Sequence, residues 1–508
     1  MYIKIIKNNF VFFLTLFFAV LIPLKFVLFP NLEGEDEVLT FLINVKILNF
    51  IQEFDFKQII IELIKDWHPP GRNLLSITTL SFLPDTISTT RLIYYIMWIF
   101  STLLVVKISK KICSDKLAYV SASLICLSGI FHIQIMSFAH VAVTLFGLII
   151  ILILLSNENE KISLKKYTFL MSVSFLGFLF FNTFILITIG LNILVMYEFF
   201  KDKKLKSKEF INFIALAFLF FLFYLLYYFI FLGLPYLVTF NQNFVNNLNY
   251  YFNELNFGNW DGKPFGQLHQ YMTRNDNATL NTQAFLSNIR YLNWHFFPFI
   301  GFFIFIISYI MIFINFKKIF ILLLPYFLIF NFYIQGNTVQ HFASLFIWCL
   351  PFFPLSMKKL NFSRIVNYVL YFVSSFVLFF YTFTFHIKDY NSKNYPILFS
   401  ELFYGDIKWA PNIKRPLEQI SREVKSISSK DQNILYSIDG AFLYYLRDYK
   451  TSYKNINEIR SMNEKSRCEL FNDIKLFITL DINNPCKELF IKKIRFQNSN
   501  IVVYENKN

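Results

Sequence analysis

Stretches of about 20 apolar residues with few charges recur along this chain, at 10–30, 138–155, 210–232 and 292–315 among others. A hydrocarbon core of about 30 Å takes roughly 20 helical residues to cross. Backbone groups in lipid must also pair within their own segment, which selects helices. The chain is therefore expected to be a mainly α polytopic membrane protein. Of its 508 residues, 56% are hydrophobic and only 16% charged, too few for the surface of a soluble fold of that length. Spans at 10–30, 90–107, 117–135, 138–155, 167–182, 183–199, 210–232, 292–315, 319–335, 339–356 and 362–386 make about eleven transmembrane helices.

The net charge of +15 invites a nucleic-acid reading. The Lys and Arg residues, however, fall in short clusters between apolar runs, which is the positive-inside pattern. With the N-terminus in the cytoplasm, Lys107 to Lys116, Lys161 to Lys166, "KDKKLKSK" at 201–208, Lys317 with Lys318, and Lys358 to Arg364 all lie inside. The segment 10–30 is too long for a signal-peptide core and is expected to stay as an uncleaved anchor. The same arrangement puts 31–89, the loop 233–291 and the tail after 386 outside. The stretch 167–199 is about 50 Å long as one helix, so a break is expected near Asn182 and Thr183. "GRNLLSITTLSFL" at 71–83 is apolar but short, and is read as lying at the outer membrane surface.

Two domains follow: 1–386 as the transmembrane domain and 387–508 as a small extracytoplasmic α/β domain. In the tail, "RPLEQISREVKSI" and "GAFLYYLRDY" read as helices, while "NILYSI", "KLFITL" and "NIVVYEN" read as strands. Cys468 and Cys486 share this tail; they are either a disulfide or two separate free thiols. No cysteine spacing suggests a zinc site.

Chemistry is concentrated in the first outer segment. Residues 31–70 hold eight acids, and "NLEGEDEVLTF" sets Glu33, Glu35, Asp36 and Glu37 almost side by side at the start of an amphipathic stretch. Acids at a helix N-terminus also serve as caps and dipole partners, which by itself accounts for them. "KDWHPPGRNLL" fixes His68 ahead of a Pro-Pro turn, since the residue before a proline is pushed out of helix. Arg91 opens the next span in "TTRLIYYIMWIF"; an arginine there can simply snorkel to headgroups. The loop 233–291 adds Trp260, Asp261, Lys263, His269 and Arg274, and a polar loop of that length is commonly functional.

Taken in order, an Asp-Glu pair, a His-Pro-Pro, a short apolar helix and an arginine resemble the GT-C-type integral membrane glycosyltransferases. The nearest branch is the protein O-mannosyltransferase and lipid A aminoarabinose transferase group. The order of elements is similar over the whole chain, while the motifs are confined to about residues 33–110. The resemblance implies Asp36 as general base with Glu37 beside it, and Arg91, His68 and His341 as binders of the donor's lipid phosphate. It leaves Glu35, Trp260 and His269 for acceptor contacts. Two departures stand out. "IMSFAHVAVTL" carries His140 where relatives have an acid, and "QHFASLFIWCLP" carries Gln340, His341 and Phe342 where relatives have Arg-Tyr. The missing second acid leaves no assigned metal site, and a divalent cation, magnesium or manganese, stays an open cofactor.

The activity so implied is inverting transfer of a hexosyl or pentosyl group from a polyprenyl-phosphate donor to an acceptor hydroxyl. It takes place on the outer face of the cytoplasmic membrane, with a lipid, glycan or protein as acceptor and no nucleic acid involved. A transporter or flippase of lipid-linked sugars is the rival class. It calls for ionisable residues and broken helices at mid-membrane depth, and these spans are nearly free of carboxylates. A catalytically silent membrane scaffold is the third reading.

Overall fold

The computed structural model describes residues 24, 27, 35–65, 70–113, 117–118, 120–121, 124, 139–156, 160–202, 207–228, 300–329, 339–359, 417–437, 444–454, 456–480, 486, 488–495 and 501–507. The chain divides into two compact units, one of 1–30 with 43–406 and one of 31–42 with 407–508. The first is a bundle of apolar helices, and the protein is a multi-pass membrane protein. Three of its described helices have the length and hydropathy to cross a bilayer: Ile87–Ile112, Ala139–Ser156 and Lys208–Tyr227.

In chain order the first helices are α1 (Glu35–Gln52), α2 (Phe56–Lys65), α3 (Gly71–Leu80) and α4 (Ile87–Ile112). α5 (Ala139–Ser156), α6 (Leu164–Phe180), α7 (Ile185–Lys201) and α8 (Lys208–Tyr228) follow. α9 (Ile300–Asn315), α10 (Lys317–Leu328), α11 (Val339–Cys349) and α12 (Phe353–Lys359) complete the described helices of this unit. α4 starts where Thr86 caps it, its hydroxyl accepting from the Thr89 N–H at 3.2 Å, and ends with Lys110 and Lys111 on the negative end of its dipole. α6 is capped in the same way by Ser163. The predicted break falls at an extended Phe181 followed by a 3-10 turn, Asn182–Phe184. α3 has ten residues, about 15 Å of helix, and so is too short to cross the core.

The bundle closes through small residues. α5 meets α11 where the Trp348 indole lies over Gly147, donates to the Thr144 carbonyl at 3.0 Å, and leaves a Thr144–Ser344 hydroxyl contact of 3.0 Å. α7 meets α10 at Gly190, where an added Cβ would sit 2.1 Å from the Leu322 carbonyl oxygen. α3 meets α6 at Gly71, whose added Cβ would lie 2.6 Å from the Leu179 carbonyl oxygen.

The second unit holds α13 (Leu417–Ile427), β1 (Ile434–Tyr436), β2 (Thr451–Tyr453), α14 (Ile456–Ser461), α15 (Glu464–Phe471), β3 (Leu476–Leu480), β4 (Phe490–Arg495) and β5 (Ile501–Asn506). The sheet order is β2-β1-β3-β5-β4, with β1 parallel to β2 and β3, and β5 antiparallel to β3 and β4. β1, β3 and β5 correspond to the three apolar strands expected from sequence. β2 is three residues long, and β4 is an edge strand carrying Lys492 and Lys493, so neither has an apolar signature. The expected helix at "GAFLYYLRDY" is corrected where it is described: Tyr444 to Tyr449 form turns, because the chain must reverse to place the Lys450 carbonyl against the Ile434 N–H. Cys468 and Cys486 are disulfide-bonded, and Cys486 is buried in the core with Phe471, Phe477 and Tyr504. The first part of α1 groups with this unit: Phe41 is buried, 5.5 Å from the Tyr444 ring, and the Arg447 guanidinium stands over both rings.

Candidate functional site

α3 is inside out by the standard of a soluble helix. Leu74 is 56% exposed, while Arg72, Asn73 and Ser76 are buried with Ile77 and Leu80. In a membrane protein an exposed leucine faces lipid at no cost, and polar residues turn toward protein or a cavity. The Gly71 contact holds the start of α3 against the end of α6. The short turn 81–86 then folds α4 back alongside it. Tyr94 of α4 locks the pair: its Oη donates to the Arg72 carbonyl at 3.0 Å and lies 3.5 Å from the Ser76 hydroxyl.

Arg91 lies one turn before Tyr94. It and Arg72 are 1% and 2% exposed, among the largest fully buried side chains described. An arginine that snorkels keeps its head in water, so burial to this degree sets aside that simple account of Arg91. Burying guanidinium groups is costly unless they are matched by polar or anionic partners. Glu62 of α2 is buried in the same membrane unit, 5% exposed. His140, at the start of α5, packs on Phe181 with ring centres 4.6 Å apart.

Several neutral groups in these helices are buried with nothing to bond. Among the described residues, both amide atoms of Asn73 and of Asn44, and the hydroxyls of Thr90 and Thr183, have no hydrogen-bond partner. Asn44 and Asn73 are 0% exposed. Each unpaired buried group costs about 1 to 3 kcal/mol, and further unpaired groups, Lys166 Nζ and Tyr309 Oη among them, are spread through the same unit.

Of the residues expected from sequence, Glu35, Asp36 and Glu37 form the first turn of α1, in the segment that groups with the second unit. Arg91 is buried in α4, and His341 falls in the first turn of α11. His68, Trp260 and His269 lie outside the described residues. Arg72, Asn73, Asn44 and Thr90 were missed. A partial signal was present in "GRNLLSITTL": Arg72, Asn73 and Ser76 share one helix face, though Thr78 lies on the exposed side with Leu74.

No family model matches the chain, and no curated protein matches it in sequence. Solved structures do match. ArnT from Cupriavidus metallidurans, bound to undecaprenyl phosphate, aligns over 86% of this chain and 87% of its own at 12% identity, with a TM-score of 0.52. AglB, the oligosaccharyltransferase of Archaeoglobus fulgidus, in complex with an inhibitory peptide and a dolichol-phosphate, aligns over 94% and 70% at 12% identity, with a TM-score of 0.50. The chain has the fold of the GT-C-type membrane glycosyltransferases. A further structure of the Archaeoglobus fulgidus enzyme, with zinc and sulfate, covers 92% of this chain and 68% of its own at 13% identity, with a TM-score of 0.50. At such identities the GT-C fold carries over and individual residues do not. Among the described residues no group of three or more His, Cys, Asp or Glu gathers.

Proposed function

We propose that this protein is an inverting glycosyltransferase that moves a sugar from a polyprenyl-phosphate donor to an acceptor hydroxyl on the outer face of the cytoplasmic membrane. The observation that carries the reading is a fully buried Arg91, accompanied by Arg72, in a fold shared with proteins that hold dolichol-phosphate and undecaprenyl phosphate. A guanidinium meets phosphate oxygens bidentately, and the leaving group of this reaction is a lipid phosphate.

In the proposed reaction Asp36 accepts the proton of the acceptor O–H. The freed oxygen pair attacks the anomeric carbon from the face opposite the phosphate. The C1–O bond then breaks, with its electron pair leaving on the polyprenyl phosphate, and the anomeric centre is inverted. A positioned base contributes roughly 10² to 10⁴ in rate. Glu37, next to Asp36 in the sequence, is the second acid of the pair. Arg91 binds the departing phosphate, with His68 and His341 as assistants. Glu35, Trp260 and His269 are assigned to the acceptor. The Cys468–Cys486 disulfide supports an extracytoplasmic tail, since such bonds persist in oxidising compartments. The basic clusters support a cytoplasmic N-terminus.

The test is transfer of label from a radiolabelled polyprenyl-phosphate sugar into cell-envelope acceptors, wild type against Asp36→Asn at matched expression. A loss of about 10² or more with donor binding retained is expected. Unchanged transfer returns the acids to helix capping and sinks the assignment.

A further inference from the structure

Asn73 has a buried amide that no group among the described residues satisfies, and amide chemistry narrows what can satisfy it. Its Oδ1 only accepts and its Nδ2 only donates. A phosphate oxygen accepts and therefore answers Nδ2 alone, leaving Oδ1 orphaned. A guanidinium or ammonium donates and answers Oδ1 alone. Two adjacent hydroxyls both donate and accept, so a vicinal diol answers the whole amide. Asn73 follows Arg72 directly on the buried face of α3, in the corner that Tyr94 ties to α4 one turn from Arg91. Fixed positive charge for a phosphate and a neutral two-way amide thus occur in one helix pair.

We propose that Asn73 is the sugar-reading residue of this site, binding vicinal hydroxyls of the pyranose carried on the lipid phosphate. Arg91 and Arg72 meet the phosphate, and Asn73 meets the group being transferred. The proposal rests on the donor-dependent reading above and deepens it: the amide distinguishes a loaded donor from the spent polyprenyl phosphate. Discrimination by a buried amide is strong because a ligand lacking the hydroxyls leaves it unpaired again. A leucine, with the same branched side-chain skeleton, would occupy the position without an unpaired polar group, so stability alone does not account for the amide.

The experiment measures binding of three probes to the full-length protein in nanodiscs: undecaprenyl phosphate, and the same lipid bearing glucose or mannose. Both sugars present vicinal hydroxyls, so wild type is expected to hold each about tenfold or more tighter than the bare lipid. Asn73→Leu is expected to erase that preference, keep the bare-lipid affinity, and melt at or above the wild-type temperature. Asn73→Ser, which retains one group able to donate and accept, is expected to keep part of the preference and serves if the leucine variant does not fold. A wild type that binds all three lipids alike, or variants that keep the full preference, overturn the role of Asn73 and leave the donor reading standing. A wild type that binds none of the three overturns the donor reading and this inference together.

Discussion

The two ends of α6 differ in how their polar groups are paired. At its C-terminal end, the corner of α3 and α4 keeps Asn73 and Thr90 buried and unbonded beside two arginines. At its N-terminal end, Glu198 of α7 accepts the Ile162 N–H at 3.0 Å and pairs with Lys318 of α10 at 2.6 Å. Lys318 also donates to the Glu160 carbonyl, and Lys161 pairs with Asp202. These pairs fasten α7, α10 and the approach to α6, while Lys166 in the first turn of α6 keeps a buried Nζ without a hydrogen-bond partner among the described residues at the same end. At the first end the Asn73 amide and the Thr90 hydroxyl stay unpaired, at an energetic cost. The ion pairs tie helices together, while the unpaired neutral amide of Asn73 retains capacity for a ligand.

Substitutions can break or sharpen this contrast. The largest effect is expected at the open corner: Arg91→Gln removes the charge while keeping a polar side chain, and should lower sugar transfer by about a hundredfold with weakened binding of undecaprenyl phosphate. Wild-type transfer by this variant, assayed on folded protein, would make the corner structural. An intermediate effect is expected at the ion-paired seam. Glu198→Gln loses an ion pair whose partners are 18% and 16% exposed, and should cost about 1 to 2 kcal/mol in thermal stability with transfer per folded molecule unchanged. A drop in transfer without a drop in melting temperature would erase the distinction between the two ends. The smallest is Lys161→Ala, at a side chain 65% exposed, where neither melting temperature nor transfer should move outside error.

Much of the membrane unit was legible from periodicity and charge. Runs longer than a bilayer's thickness can only be helices, and the break at Asn182 and Thr183 follows because 33 continuous residues exceed the span. Phe181 turns extended there, and Phe184 packs back onto Gly177. In the tail, strands with a continuous apolar pattern were legible, while β2 and β4 were not. A three-residue strand and a lysine-bearing edge are defined by the neighbours they pair with, which local composition does not carry.

The candidate site divides along the same line. Arg91 was legible as the charge opening a span, and Asp36 with Glu37 as acids grouped before a helix. Whether an arginine snorkels or is enclosed depends on what packs over it, and only the fold put Arg91 at 1% exposure. Asn73 was invisible for the same reason: an asparagine in an apolar helix is exposed, bonded or orphaned according to its neighbours. Sequence by itself determined that this chain crosses a membrane repeatedly, carries its basic clusters in the connections, and ends in a separate polar domain. These are consequences of chain length, hydropathy and charge, each additive along the backbone. Tertiary structure alone decided which polar side chains close on one another and which stay open, because hydrogen-bond satisfaction is a property of contacts between residues distant in the chain.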